Sequence, residues 1–181
     1  MIEPAWGPFL FDTSAESWFA RASTPYASRW WRAYLSLHSV HVSAITVVER
    51  VRGYAALSRN SDAQKRPRVE EARMNYLASL GTVWPADTAT AIVAGEIIAL
   101  LPEPPTPPRR SHRGSESRSD RLARWRFDSI VAATALVTGM ALIHRNPGDF
   151  EAIRGAIENS PDRFPHLGPL NLMRCGSVPG E

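Results

Sequence analysis

The sequence predicts a three-layer α/β/α domain around a central, mainly parallel sheet of four to five strands. Short apolar runs of strand character alternate along the chain with longer stretches at helical spacing. Two of those runs end at a turn holding acids, at Asp12 and over residues 145–149. The 181 residues, 44% apolar and 22% charged, have the size and composition of one folded domain. Strands separated by helices pair in parallel, and the helices cover both faces of the sheet.

The elements follow in order. Residues 8–12 are a buried strand that closes on an acid. Residues 14–20 and 26–38 form a helix pair, whose aromatics Trp18, Phe19, Trp30, Trp31 and Tyr34 belong to the core. Residues 40–43 make a second strand. The helix over 44–58 carries Ile45, Val48, Val51, Tyr54 and Ala55 at helical spacing. A helix over 69–80 stops at Gly81, and 82–84 is a third strand ended by Pro85. Asp87 is placed to cap a helix over 86–101, since its carboxylate can accept from amides of the first turn. A long apolar helix over 124–139 ends at Gly139, and residues 140–143 are a fourth strand. A turn at 146–149 leads into a helix over 150–159, and 170–173 is a last edge strand.

Residues 102–120 break the alternation. They hold Pro102, Pro104, Pro105, Pro107 and Pro108, then Arg109, Arg110, His112, Arg113 and Arg118 among serines. Proline removes amide donors, and this composition has little apolar surface to bury, so the stretch is expected to be a mobile surface loop. It lies inside a single domain spanning 1–181, because helices on both sides serve one core.

The formal net charge is +3, and Lys65 is the only lysine. Arginine suits phosphate because its planar fork donates two parallel hydrogen bonds, so a polyanionic partner is allowed. Cys175 is the only cysteine, which excludes an internal disulfide, and no histidines stand at zinc-ligand spacing. No apolar run reaches the roughly 18–20 residues of a membrane helix. No basic stretch followed by an apolar core opens the chain, and a cytoplasmic protein is expected.

In parallel sheets, ligands bind beyond the carboxyl ends of the strands, where the winding reverses. That focuses attention on four acids. Asp12 ends the first strand, Glu49 lies about one turn into the helix after the second, Asp128 lies near the start of the long apolar helix, and Asp149 follows the fourth strand. Asp12 and Asp128 have apolar neighbours, and buried carboxylates are costly unless paired or bound to a cation. Several oxygen ligands at one sheet end suit a hard divalent ion. Taken singly, each acid is equally well read as a helix cap or an arginine partner, and spacing does not prove that they converge.

The motifs themselves narrow this. Leu10-Phe11-Asp12-Thr13-Ser14, the run from Ser43 to Gly53 with Glu49 as its acid, Asp128-Ser129-Ile130-Val131-Ala132-Ala133-Thr134-Ala135-Leu136, and the run from Ala141 to Phe150 resemble, in order, the four motifs of the PIN-domain family. The resemblance spans most of the chain and is most specific in its third and fourth motifs. It implies a divalent-metal-dependent endoribonuclease of the VapC toxin type, which uses Mg²⁺ or Mn²⁺ and acts on RNA. It also implies a cognate antitoxin and frequent homodimerisation. On this resemblance Asp12, Glu49 and Asp128 would hold metal, with Asp149, directly or through water, or else Asn146 through its amide oxygen, as the fourth ligand, and with Ser14 as an auxiliary. Arg121, Arg124 and Arg126, just before Asp128, are candidates to grip RNA phosphates, or else a solvated helix start paired with acids such as Asp120. Three departures stand out. Asn146 occupies a place where some members carry an acid, His144 replaces a common threonine, and the Pro- and Arg-rich loop is longer than in compact toxins.

The histidines 38, 41, 112, 144 and 166 are scattered and read as structural or solvated. A non-catalytic PIN-like binding module is the nearest rival, but all four acidic positions are filled. An aspartate-nucleophile phosphatase wants an acid two residues after the first, where this chain has Ser14. A phospho-accepting receiver wants an early acidic pair and a late lysine, and Lys65 does not fit.

Overall fold

The computed structural model describes residues 2–108, 110–111 and 114–175. Arg109, His112 and Arg113 of the predicted loop lie outside the described residues. Strands β1 (Leu10–Phe11), β2 (His41–Ser43), β3 (Thr82–Trp84), β6 (Leu142–His144) and β7 (Leu172–Arg174) form one sheet of order β3-β2-β1-β6-β7. Every pairing is parallel. A short antiparallel ladder, β4 (Arg110–Ser111) with β5 (Gly114–Ser115), stands apart from it.

The alternation of side chains along each strand builds the three layers. On β1, Leu10 faces a core made with α5 (Thr88–Leu100), α6 (Arg118–Thr138) and α7 (Pro147–Glu158), where it joins Ile97, Trp125, Leu142 and Phe150. Phe9 and Phe11 face the opposite core, with Phe19 of α1 (Thr13–Ala20) and Trp30 and Tyr34 of α2 (Pro25–Leu35). The rings interlock, with Phe19 and Trp30 stacked at 4.3 Å and Trp30 and Tyr34 at 5.2 Å between centroids. The aromatic run of the first helix pair is therefore core, as its spacing indicates. Helices α3 (Ala44–Arg59) and α4 (Arg66–Ala78) pack as a pair beside the sheet.

Local signals explain the boundaries. Asp87 accepts from the Thr90 amide at 2.9 Å and caps α5. Gly139 takes a left-handed conformation (φ 66°) that closes α6, and the Met140 amide folds back onto the Ala135 carbonyl at 3.1 Å. That closure uses residues 140–141, so the fourth strand of the main sheet begins at Leu142 rather than at 140. The edge strand likewise lies two residues later than expected, at Leu172–Arg174.

Two expectations need correction. The last three residues of the predicted loop are helical, because Ser117 caps α6 by accepting from the Asp120 amide at 3.1 Å. The helix therefore starts at Arg118, and Asp128 sits in its middle instead of near its start. Negative charge at Asp120 in the first turn also favours this earlier start.

After β1 the chain builds β2 and β3 on one side, then returns to build β6 and β7 on the other. The winding thus reverses between β1 and β6, which opens a crevice at their carboxyl ends.

Gly81 lets β3 close against β2. An added Cβ would lie 2.5 Å from the Val40 carbonyl oxygen and 2.9 Å from its nitrogen. That carbonyl also accepts from the Thr82 amide at 2.8 Å. Gly81→Ala is expected to destabilise the fold by about 1–3 kcal/mol in denaturant unfolding. Gly95→Ala is the control, at an exposed position in α5 with nothing within 4 Å, and should be neutral or stabilise by up to about 1 kcal/mol. Equal stability of the two variants would contradict this account of the β2–β3 junction.

Candidate active site

Asp12 follows β1 directly and caps α1. Its Oδ1 accepts from the Ala15 amide at 2.6 Å, and its Oδ2 accepts from Ser14 Oγ at 2.8 Å and from the Arg145 amide at 3.4 Å. The Asp12 amide donates to the Ile143 carbonyl of β6 at 3.0 Å, so both sides of the winding reversal hold this residue. The side chain is 4% exposed. Burial pushes its pKa up to about 6, the three hydrogen bonds oppose the rise, and the nearby Glu49 charge adds to it.

Glu49 comes from the first turns of α3 and accepts a hydrogen bond from Thr13 Oγ1. Asp128 comes from α6, accepts from Asn146 Nδ2 at 2.9 Å and has Arg124 Nη1 at 4.0 Å. Burial first, then the charges of Asp149, Asp12 and Glu49, drive the Asp128 carboxyl well above its ordinary range, against the pull of Arg124. The acids that the motifs single out are thus close enough to repel one another.

Asp12, Glu49 and Asp128 line one cleft of about 390 Å³, together with Ser14 and Asn146. Asp149 does not. It is fully buried at the start of α7, where its oxygens accept from Thr106 Oγ1 at 2.6 Å, from Asn146 Nδ2 at 2.6 Å and from Arg124.

The arginines separate in the same way. Arg124 lines the cleft, Arg121 donates to the Pro104 carbonyl at 2.6 Å, and Arg126 is exposed on α6 away from the cleft lining. Sequence reasoning missed Arg21, Arg50 and Arg145, which also line the cleft. Arg145 follows the very strand end that the winding rule marks, so its signal was available. It lies over the Trp18 ring at 5.3 Å. Arg50 pairs with the buried Glu16 at 3.0 Å, donates to Ser17 Oγ and the Tyr54 hydroxyl at 3.1 Å each, and lies over the Tyr76 ring at 4.8 Å. It ties α1 to α3, and with them Asp12 to Glu49. Its one sequence signal is the i,i+4 spacing of Arg50 and Tyr54. Thr106 and Glu116, inside the irregular segment, had none.

His144 is 1% exposed and packs against Phe150 with the rings tilted and centroids 5.1 Å apart, and burial lowers its pKa to about 4. It is a neutral core side chain.

The donors on the cleft are carboxylate, hydroxyl and amide oxygens, which is the chemistry a hard divalent cation prefers. Among the described residues, no three acidic, histidine or cysteine groups are drawn together closely enough to ligate one ion. Each carboxylate is instead held by a neutral donor of the chain: Ser14 on Asp12, Thr13 on Glu49 and Asn146 on Asp128. Those contacts are exchangeable, and two of the carboxyls carry raised pKa values, so the donor set fits a divalent cation. Among the described residues, no helix is long and apolar enough to cross a membrane.

Known structures share this fold. VapBC2 from Rickettsia felis, bound to a DNA fragment from its promoter, superposes with a TM-score of 0.59 at 11% identity, covering 93% of this chain and 98% of that one. DNA-bound VapBC from Salmonella typhimurium gives 0.56 at 19% identity, over 96% and 98%. FitAcB from Neisseria gonorrhoeae gives 0.53 at 24% identity, over 81% and 93%. No curated protein sequence matches the chain significantly. The PIN domain model matches residues 9–156, a span that contains all four acids, and the chain belongs to the PIN domain family.

Proposed function

We propose that this protein is a divalent-metal-dependent endoribonuclease, using Mg²⁺ or Mn²⁺ to hydrolyse RNA phosphodiester bonds, and the toxin of a VapBC-type pair. The observation that carries the reading is the meeting of Asp12, Glu49 and Asp128, from three separate elements, on one cleft where the sheet winding reverses. Like-charged carboxyls held together under burial are poorly served by water and well served by a cation.

Asp12, Glu49 and Asp128 would hold the ion, with the Asn146 amide oxygen as a further donor. Held there, a divalent ion would supply Lewis-acid polarisation of the scissile phosphate and a bound water of lowered pKa. Ser14 and the Ala15 amide fix the Asp12 carboxylate, so its orientation is set before substrate arrives. Thr13 does the same for Glu49. Arg21, Arg50 and Arg145 supply positive charge along the cleft for the RNA backbone, which makes substrate binding salt-dependent. The similar folds in VapBC and FitAB complexes support a cognate antitoxin as partner, and a homodimer and a cytoplasmic site of action belong to the same reading.

Two measurements test it. RNA cleavage is expected to require Mg²⁺ or Mn²⁺ and to stop in EDTA. Asp12→Asn should lower the rate by at least about 100-fold while the fold persists. Cleavage that continues in EDTA would overturn the reading.

Metal-free stability gives the second. The folded Asp12 carboxyl has its pKa raised from 3.8 to about 6, so the folded state binds the proton more tightly than the unfolded chain. Its stabilising contribution is complete below the unfolded pKa and is lost as pH rises through the folded one. From about pH 4 to about pH 7, the wild type should lose on the order of 2–3 kcal/mol relative to Asp12→Asn. Thermal melts of both proteins in EDTA check this. Parallel pH curves would show that Asp12 is not held in a costly state.

A further inference from the structure

Within that nuclease reading, Asp149 raises a separate question. A metal ligand must reach the ion, and Asp149 is not among the residues that line the cleft. It is 0% exposed, and its two oxygens already accept from Thr106, Asn146 and Arg124. Asn146 Nδ2 donates to both Asp149 and Asp128, which fixes the orientation of that amide and leaves its oxygen as the atom not used on either acid.

Arg124 is the centre of this arrangement. Its Nε and Nη2 donate to the two oxygens of Glu116 at 3.0 and 3.1 Å, and Nη1 donates to Asp149. Arg124 and Glu116 are each 12% exposed. A guanidinium has five N–H groups, so one on Nη1 and one on Nη2 lie outside these bonds. Nη1 is 4.0 Å from Asp128 Oδ2, on the cleft lining.

Glu116 and Thr106 both come from the stretch that connects α5 to α6. That stretch is fastened at several points. Arg121 donates to the Pro104 carbonyl, Trp125 Nε1 donates to the Leu101 carbonyl at 3.0 Å, and the Thr106 methyl occupies the space a Cβ on Gly148 would need. Thr106 and Glu116 of the connection therefore reach the Asp149–Arg124 pair from two sides.

We propose that Asp149 is an anchor and not a metal ligand: with Glu116 and Thr106 it holds the Arg124 guanidinium at the Asp128 edge of the cleft, where the remaining N–H donors meet the RNA phosphate. Glu116, Thr106 and Asp149 are positioning residues, and two of them come from the α5–α6 connection.

The test separates this from the nuclease reading on which it rests. Mn²⁺ binding is measured by calorimetry on the full chain, alongside RNA cleavage kinetics. The charge-balanced double variant Arg124→Gln/Asp149→Asn should keep Mn²⁺ affinity within about threefold of wild type, whereas Asp128→Asn should lose at least about tenfold. A tenfold loss in the double variant would make Asp149 a ligand and overturn the proposal, with the nuclease reading intact. Glu116→Gln keeps the side chain's size, removes its charge and serves if the double variant does not fold. It should raise KM for RNA at least about fivefold with kcat within about twofold, leave Mn²⁺ affinity unchanged and make the salt dependence of KM shallower. An unchanged KM would overturn the positioning role. A wild-type chain that binds no Mn²⁺ would overturn the nuclease reading and this proposal together.

Discussion

A carboxylate buried at the end of the central strand is the constraint around which this molecule is arranged. Asp12 stands where the winding reverses, so β1 brings it in and β6 closes over it through the Arg145 amide. Its burial raises the cost of its charge, and Glu49 and Asp128 add to that cost by proximity. The surrounding chain answers with directed donors: the first turn of α1, the Ser14 hydroxyl, and Thr13 and Asn146 on the neighbouring acids. None of these donors carries a full charge. The cluster therefore stays oriented while its electrostatic demand stays open, which is the condition for capturing a cation.

Positive charge is handled in two different ways around the same cleft. Arg50 and Arg124 are enclosed by acids and rings, so each is fixed in place by partners of the chain while it lines the cleft. Arg21 and Arg145 are exposed at the rim, where they add positive charge to the cleft. A net charge of +3 spread over the whole chain conceals this division.

The layers and the parallel sheet were legible in the sequence because their cause is periodic. Leu10 and Phe11 must face opposite cores, and alternation along a short apolar run records that directly. The capping role of Asp87 and the stop at Gly139 were legible because one residue type carries each. The strand at Leu142–His144 was displaced by two residues because the closing turn after Gly139 consumes backbone that composition alone assigns to the strand. Convergence of Asp12, Glu49 and Asp128 was legible through motif order and not through spacing. Asp149 joined them on motif grounds, and its Arg124 partner could not be foreseen, since the pair depends on where a proline-rich connection packs. Glu116 and Thr106 sit in that connection, where no period and no cap marks a side chain as functional.

The central claim is that the fold holds these carboxyls in a repulsive state that a divalent cation relieves. Carbon-detected NMR titration of the aspartate and glutamate carboxyl groups, with and without Mg²⁺, tests it most directly. Without the ion, Asp12 should titrate at about 6 and Asp128 should also lie above the ordinary range. With Mg²⁺ both should fall below their metal-free values, because the ion favours the charged form. Ordinary titration of both groups, unmoved by Mg²⁺, would contradict the account.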